Sequence, residues 1–327
     1  MRVSVVVPTY RRLPLLRRCL EPLLAQQGLP AADYEVIVVD DGHEDEVRDF
    51  VRRLAAERGA PALRYLRSAP GRGPAVARNT GWRAAQGEIV AFTDDDTLPD
   101  PVWVAAGEAA LRAHPDWSAA SGTVDVPLPD PGRPPSDHEL MTLGLASAEF
   151  VTANAFVRRS ALERIGGFDE RFRRAWREDS DLQFRLMQQA GPVGRATQAR
   201  VVHPVRAEPW GVCLRQQRNT FFDALLFKKH PRLYRQRIRP VPPWDYYLVV
   251  ALTVAAPVLA WAGRPGAAAG ALGGAAALVL ALAGRRLRHT DRSPRHALEM
   301  LATSALIPFL SVYWRLRGAW HFRVLFL

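Results

Sequence analysis

Lysine is almost missing from this chain. Lys228 and Lys229 are the only two, so the basic excess of 44 Lys and Arg over 33 Asp and Glu is an arginine excess. Cysteine is as sparse: Cys19 and Cys213 lie far apart and in no metal-ligand spacing, which leaves no disulfide framework and no zinc site and points to a reducing compartment. The first apolar run, Val3 to Val7, stops at Pro8 and falls short of the about 7 to 15 residues of a signal-peptide core, so the N-terminal part is expected to stay in the cytoplasm. That run leads into Pro8-Thr9-Tyr10 and not into a G-x-G-x-x-G turn, which argues against a dinucleotide-dependent oxidoreductase.

What is present is uneven. Net charge is +11, and it gathers late: nine Arg or Lys stand between Arg206 and Arg239 against Glu208 and Asp223, and five arginines between Arg285 and Arg295 against Asp291. Both clusters flank strongly apolar segments, which favours an anionic membrane surface over nucleic acid as the partner.

The first 100 residues alternate between two periodicities. Val3 to Val7 and Tyr34 to Val39 are near-continuous β-branched runs, as in strands covered on both faces of a parallel sheet. Helices are expected over Leu13 to Ala25, Glu44 to Arg58 and Pro74 to Gln86, and further strands over Leu63 to Leu66 and Glu88 to Phe92. This βαβα order predicts an α/β fold with a mainly parallel, Rossmann-like sheet and right-handed crossovers, with ligands at the carboxyl ends of the strands. The polar residues there are Thr9 and Tyr10, Asp40 and Asp41, and Asp94 to Asp96. Gly71-Arg72-Gly73 reads as a turn or lid. Ser160 to Glu163 reads as a capping box opening a short helix that Gly166-Gly167 stops, and a second helix is expected to begin at Glu178-Asp179-Ser180-Asp181. A short strand should precede His203.

After Pro243 the character changes. Tyr246 to Ala262 and Ala267 to Ala283 are each 17 residues without a charge, at the short end of what spans a bilayer. The tight connection Gly263-Arg264-Pro265-Gly266, with basic residues before the first run and after the second, predicts a hairpin with both ends cytoplasmic. A third apolar stretch, Ala297 to Trp314, carries Glu299 and Pro308 and is followed by arginines, which favours a re-entrant or interfacial helix. Phe221 to Lys229 reads as an amphipathic helix lying on the membrane. The expected division is therefore a catalytic domain over 1–205, basic interfacial helices over 206–243, a transmembrane hairpin over 244–284, and a basic loop with the third helix over 285–327.

The sharpest local signal is Asp94-Asp95-Asp96 at the end of a buried strand. Three adjacent carboxylates repel one another unless a cation or hydrogen-bond donors offset them, and Mg²⁺ or Mn²⁺ is the natural neutraliser. With that triplet, Val5-Val6-Val7-Pro8-Thr9-Tyr10-Arg11-Arg12, Val38-Val39-Asp40-Asp41-Gly42 and Ala77-Arg78-Asn79-Thr80-Gly81 form an ordered set. The set resembles glycosyltransferase family two with the GT-A fold. The likeness continues through Thr152-Ala153-Asn154, Ile165-Gly166-Gly167-Phe168-Asp169-Glu170 and Arg177-Glu178-Asp179-Ser180-Asp181-Leu182, covering about residues 1 to 205.

The resemblance implies roles. Asp40 accepts a hydrogen bond from the base of a nucleotide-diphospho-sugar donor, with Pro8, Thr9, Tyr10, Arg78 and Asp95 around the nucleotide. Asp94 faces the ribose, Asp96 binds the metal directly, and His203 is a further metal or diphosphate contact. Asp179 is the catalytic base with Glu178 as its orienter, and Trp176 and Asn154 lie on the acceptor side. A uridine donor is the family's commoner habit. One hydroxyl displacing the diphosphate in line, with no second nucleophile, predicts inversion at the anomeric carbon. The membrane hairpin implies a lipid-linked or cell-envelope glycan acceptor at the inner (plasma) membrane. A tethered nucleotide-sugar-binding scaffold without turnover is the rival reading.

Overall fold

The computed structural model describes residues 1–69, 72–130 and 132–327, so Gly71 of the expected lid lies outside the described residues. The chain forms two compact units: Met1–Pro127 with Leu143–Val205, and Leu128–Thr142 with Arg206–Leu327. The expected first domain, 1–205, includes 128–142, which groups with the second unit. Its apolar pattern gives no boundary there, and only the tertiary contacts assign it to the second unit.

In the first unit the elements run β1 (Val3–Thr9), α1 (Leu13–Leu23), β2 (Tyr34–Asp40), α2 (Asp45–Arg58), β3 (Ala62–Arg67), α3 (Pro74–Ala84), β4 (Ile89–Thr93), β5 (Leu98–Pro99), α4 (Trp103–Ala113) and β6 (Ala119–Asp125). α5 (Asp137–Ser147), which belongs to the second unit up to Thr142, is followed in the first unit by β7 (Asn154–Arg158), α6 (Arg159–Ile165), α7 (Glu178–Gln189) and β8 (Val193–Val202). One sheet of eight strands results, in the order β3-β2-β1-β4-β7-β6-β8-β5. The expected parallel alternation holds for β3, β2, β1 and β4. Beyond Thr93 the sheet turns mixed, because β7 enters antiparallel to β4 and β6 antiparallel to β7.

The β-branched strands β1 and β2 are buried on both faces, as their composition requires, with one apolar cluster on each side of the sheet. Register then sets the polar rim: Thr9 lies beside Asp40, and Asp40 beside Arg67. β8 is ten residues long, not short, and its end pairs with β5 so that Val202 faces Leu98. This pairing sets His203 next to the acidic turn before β5.

One local expectation changes. α6 begins at Arg159 with no side-chain cap, so Ser160 lies inside the helix and the capping box does not form; strand β7 runs directly into the helix and fixes its start. The stop is as expected, with Gly166 and Gly167 both at positive φ.

The second unit holds α8 (Val212–Gln216), α9 (Thr220–Lys229), α10 (Pro231–Leu233), α11 (Trp244–Trp261), α12 (Pro265–Leu287) and α13 (Pro294–Phe322). The last three are each long and apolar enough to cross a membrane, with mean hydropathies of 1.4, 1.9 and 1.4. The alanines Ala268, Ala271 and Ala275 on α12 are buried, as close helix approach in lipid requires, while Val254, Val258 and Leu280 stay exposed. Of the two expectations for the third apolar stretch, a re-entrant or an interfacial helix, the first would need a break that α13 lacks, since it is one unbroken helix of 29 residues, about 43 Å long. Arg315, which argued against spanning, is buried 3.6 Å from the carboxylate of Asp223 on α9. α9 itself is not a surface amphipath, since Phe222, Leu225 and Leu226 are buried within the unit.

Close packing of α3 on the sheet depends on Gly81, where a Cβ would meet Val6 Cγ1 at 2.4 Å. Gly81→Val is expected to destabilise the protein by about 1–3 kcal/mol in thermal or denaturant unfolding. Gly144→Ala, which meets open space, leaves the midpoint unchanged or higher.

Candidate active site

The centre of the site is a buried arginine. Arg78 on α3 donates to Asp94 Oδ1 at 2.7 Å and to Glu178 Oε1 at 3.0 Å, joining the turn after β4 to the first residue of α7. Burial opposes the charge of Asp94, but Arg78, then His203 and Arg12, outweigh it and hold its pKa below the ordinary carboxylate value. Glu178 takes the longer bond of the shared guanidinium. Burial, with Asp179 adding repulsion, pushes its pKa well above the carboxylate range. Its Oε2 is buried without a partner, which costs less for a neutral carboxyl than for a carboxylate. The half-buried Asp179 is also pushed up, mainly by burial, while its Oδ1 accepts from the Ser180 backbone N–H at 2.6 Å.

The middle residue of the triplet is held differently. Asp95 accepts from the Thr9 hydroxyl at 2.8 Å and lies 3.4 Å from Arg12, and burial raises its pKa to about 6 despite both partners. No sequence pattern assigns Arg12 a role, although it closes the run from Val5 to Arg12. Pro8 is half-buried beside Thr9, and Tyr10 projects outward, 48% exposed.

Asp94, Asp96 and His203 each offer an atom within 4.8 Å of the others, with His203 Nε2 3.6 Å from Asp96 Oδ1. Two carboxylates and an imidazole suit a divalent cation of the Mg²⁺, Mn²⁺ or Zn²⁺ type, and the buried, unpartnered His203 Nδ1 leaves the ring unclaimed on its other side. The residues fit a divalent ion.

Three expected site residues are placed otherwise. Asn154 is fully buried. Its amide donates to Thr123 and Ala199 carbonyls at 2.8 Å each and accepts from Trp103 Nε1 at 2.9 Å, so it ties β6, β8 and α4 together and has no atom for an acceptor. Asp40 is buried and spent on its own turn: Oδ1 accepts from the Gly42 and His43 N–H groups, and Oδ2 from the Glu44 N–H and the Tyr65 hydroxyl. Of these partners the Tyr65 hydroxyl is the exchangeable one, a contact no sequence pattern indicated. Trp176 is half-buried with the Arg177 guanidinium 4.6 Å from its ring centroid.

Comparison with known proteins gives the family of this α/β fold. A family described as glycosyl transferase family 2 matches residues 4–166, and one described as glycosyl transferase family group 2 matches residues 137–314. The chain belongs to the family 2 glycosyltransferases. It is 28% identical over 173 residues to glycosyltransferase AglE of Haloferax volcanii, covering 51% of this chain and 55% of AglE. It is 30% identical over 244 residues to validoxylamine A glucosyltransferase of Streptomyces hygroscopicus subsp. jinggangensis, covering 64% of this chain and 54% of that one. The chain thus spans about half the length of these relatives. The mannosyltransferase PcManGT of Pyrobaculum calidifontis, solved with GDP-Man and Mn²⁺, shares the fold with a TM-score of 0.59 at 22% identity, over 98% of this chain and 87% of that one.

Replacing Asp96 by Asn or His203 by Ala is expected to weaken Mn²⁺ binding by more than about tenfold, read by the loss of free-ion signal in electron paramagnetic resonance. Asn154→Ala, by contrast, lowers the unfolding midpoint by the equivalent of about 1–3 kcal/mol, with Mn²⁺ affinity unchanged.

Proposed function

We propose that the protein is an inverting glycosyltransferase, dependent on Mn²⁺ or Mg²⁺, that moves a sugar from a nucleotide diphosphate to an acceptor hydroxyl. The observation that carries this reading is the continuous array of Asp94, Arg78, Glu178 and Asp179, which links a cation-binding cluster to a basic carboxylate across one buried guanidinium. Asp94, Asp96 and His203 would hold a divalent ion, which would supply Lewis-acid stabilisation to a departing diphosphate.

The other steps belong to the chain itself. Asp179, fixed at the start of α7, takes the proton of the attacking hydroxyl as it meets the anomeric carbon, and its raised pKa makes it a better base than an ordinary aspartate. Glu178 and Arg78 hold that helix start in place. With one nucleophile attacking in line, the anomeric configuration inverts. Thr9, Asp95 and the exposed ring of Tyr10 line the nucleotide side beside Pro8, and Asp40 reaches the donor's base by releasing Tyr65. A uridine nucleotide is the favoured donor. Trp176 serves the acceptor sugar once Arg177 moves from its face.

The three apolar helices of the same chain support a lipid-linked or cell-envelope glycan acceptor. Basic residues before α11 and after α12 support an inner-membrane location with the catalytic unit cytoplasmic. A non-catalytic scaffold would bind donor without releasing diphosphate, and the intact Glu178–Asp179 pair favours turnover.

Asp179→Asn is expected to lower kcat by about 10²- to 10⁴-fold while Mn²⁺-dependent donor binding persists. In the wild type, activity falls as pH drops through the Asp179 pKa, because the base must be unprotonated. That limb lies above the ordinary aspartate value of about 3.9. Nucleoside diphosphate release from a panel of nucleotide sugars measures both effects, and unaltered turnover in the Asn variant would remove Asp179 from the mechanism.

A further inference from the structure

α13 inverts the polarity expected of a helix in water. At about 100° per residue, Leu298, Leu301, Leu306, Tyr313, Leu316 and Trp320 fall within about 140° of one face, and all six are exposed. Ala302, Ala305 and Phe309 complete that face between Leu298 and Leu316, so no charge interrupts it there. The opposite face is buried, and it carries the threonine and both serines of the helix, Thr303, Ser304 and Ser311, together with Arg315. A helix at a water surface turns its apolar stripe inward, and a stripe turned outward calls for an apolar neighbour.

What covers the buried face decides how the helix lies. α9 runs along the C-terminal half of α13: Asp223 is 3.6 Å from Arg315, a Cβ on Gly318 would meet the Phe221 carbonyl oxygen at 2.4 Å, and Lys228 Nζ donates to the Phe322 carbonyl at 2.6 Å. α9 ends in Lys228 and Lys229, which hydrocarbon admits only at a cost of several kcal/mol. The C-terminal half of α13 is thus held against a helix that belongs beside water.

The hairpin of α11 and α12 meets α13 at one end only. Thr303 and Ser304 accept from Arg286, and Ile307 packs with Leu282 and Tyr246, all close to the end where Asp245 pairs with Arg285. Beyond Val249 and before Leu282, the buried positions of the hairpin are Ala256 on α11 and Ala268, Ala271 and Ala275 on α12. These make a single line, and Gly274, whose added Cβ would lie 3.3 Å from Leu252 Cδ1, shows that the two helices cover each other along it. A third helix running alongside would bury a second line, which is absent among the described residues. α13 therefore crosses the hairpin at its charged end, at headgroup depth, and does not follow it through the bilayer.

We propose that α13 lies in the plane of the membrane surface, with its exposed stripe sunk into the leaflet on the basic side of the hairpin. The occupant of the stripe is lipid. Tyr313 and Trp320 suit the level of the headgroups, and Arg295 and Arg317, exposed near the two ends of the stripe, reach lipid phosphates. The proposal rests on the membrane reading of α11 and α12, and it places both ends of α13 on one side of the bilayer.

The full chain is reconstituted into vesicles of phosphatidylcholine and phosphatidylglycerol as single-cysteine spin-label variants: Leu301→Cys, Leu306→Cys, Tyr313→Cys, Trp320→Cys and, on α11, Val254→Cys. All five positions are exposed, and the native Cys19 and Cys213 are buried from the label. Power saturation with oxygen against a water-soluble nickel chelate reads each depth. The four α13 labels are expected at one shallow depth, about 5–10 Å into the boundary of headgroups and acyl chains, with Val254 near the bilayer centre. A spanning α13 would separate the labels at 301 and 320 by about 28 Å in depth. That result, or four α13 labels in water, with Val254 deep overturns this proposal alone. A Val254 label in water overturns the hairpin reading and this proposal with it. Sugar transfer is not read, so neither outcome bears on the catalytic assignment.

Discussion

The buried guanidinium of Arg78 is the constraint on which the catalytic unit depends. An arginine removed from water is tolerated only with carboxylates in close geometry, and Asp94 and Glu178 provide them from two segments 84 residues apart in sequence. Because Arg78 lies in the middle of α3, its position is set by how that helix meets the sheet. Gly81 lets α3 approach Val6, and Asn79, next to the arginine, holds the Phe168 backbone in both directions and the Trp82 indole. The turn that carries Asp94 to Asp96 and the helix that begins at Glu178 and Asp179 are thus referenced to one side chain.

That arrangement also separates the protonation behaviour of neighbouring acids. Asp94 has the shorter bond to Arg78 and remains a strong acid, whereas Glu178 and Asp179, more dependent on burial than on the shared cation, become weak ones. Asp95, with Thr9 and Arg12 as partners, is raised by burial to about 6. Four carboxyl groups of similar intrinsic acidity are sorted by environment, which lets one region bind a cation and accept a proton at the same pH.

The second unit solves a different problem with similar means. Its long helices are bare over much of their length, so polar groups inside it must find each other. Arg315 finds Asp223, and Arg286 finds Asp137 and the hydroxyls of Thr303 and Ser304. The segment 128–142 supplies Asp137 to this unit although it interrupts the sequence of the first.

Much of this was fixed by the sequence alone. Periodicity in the first 100 residues specified β1 to β4 and their helices, since doubly buried strands must be continuously apolar, and the acidic triplet at a strand end marked the cation cluster. Apolar run length marked α11 and α12. Tertiary structure decided what depends on partners distant in sequence. Asn154 lies in a motif yet is spent on Trp103 and two carbonyls; Asp40 is claimed by its own turn and by Tyr65; His203 joins Asp96 only through the pairing of β5 with β8. That α13 has no re-entrant break shows only in three dimensions, where Arg315, one of the three arginines near its end, lies beside Asp223. Local pattern records which face of an element is apolar, but the satisfaction of each polar atom is a property of the assembled chain.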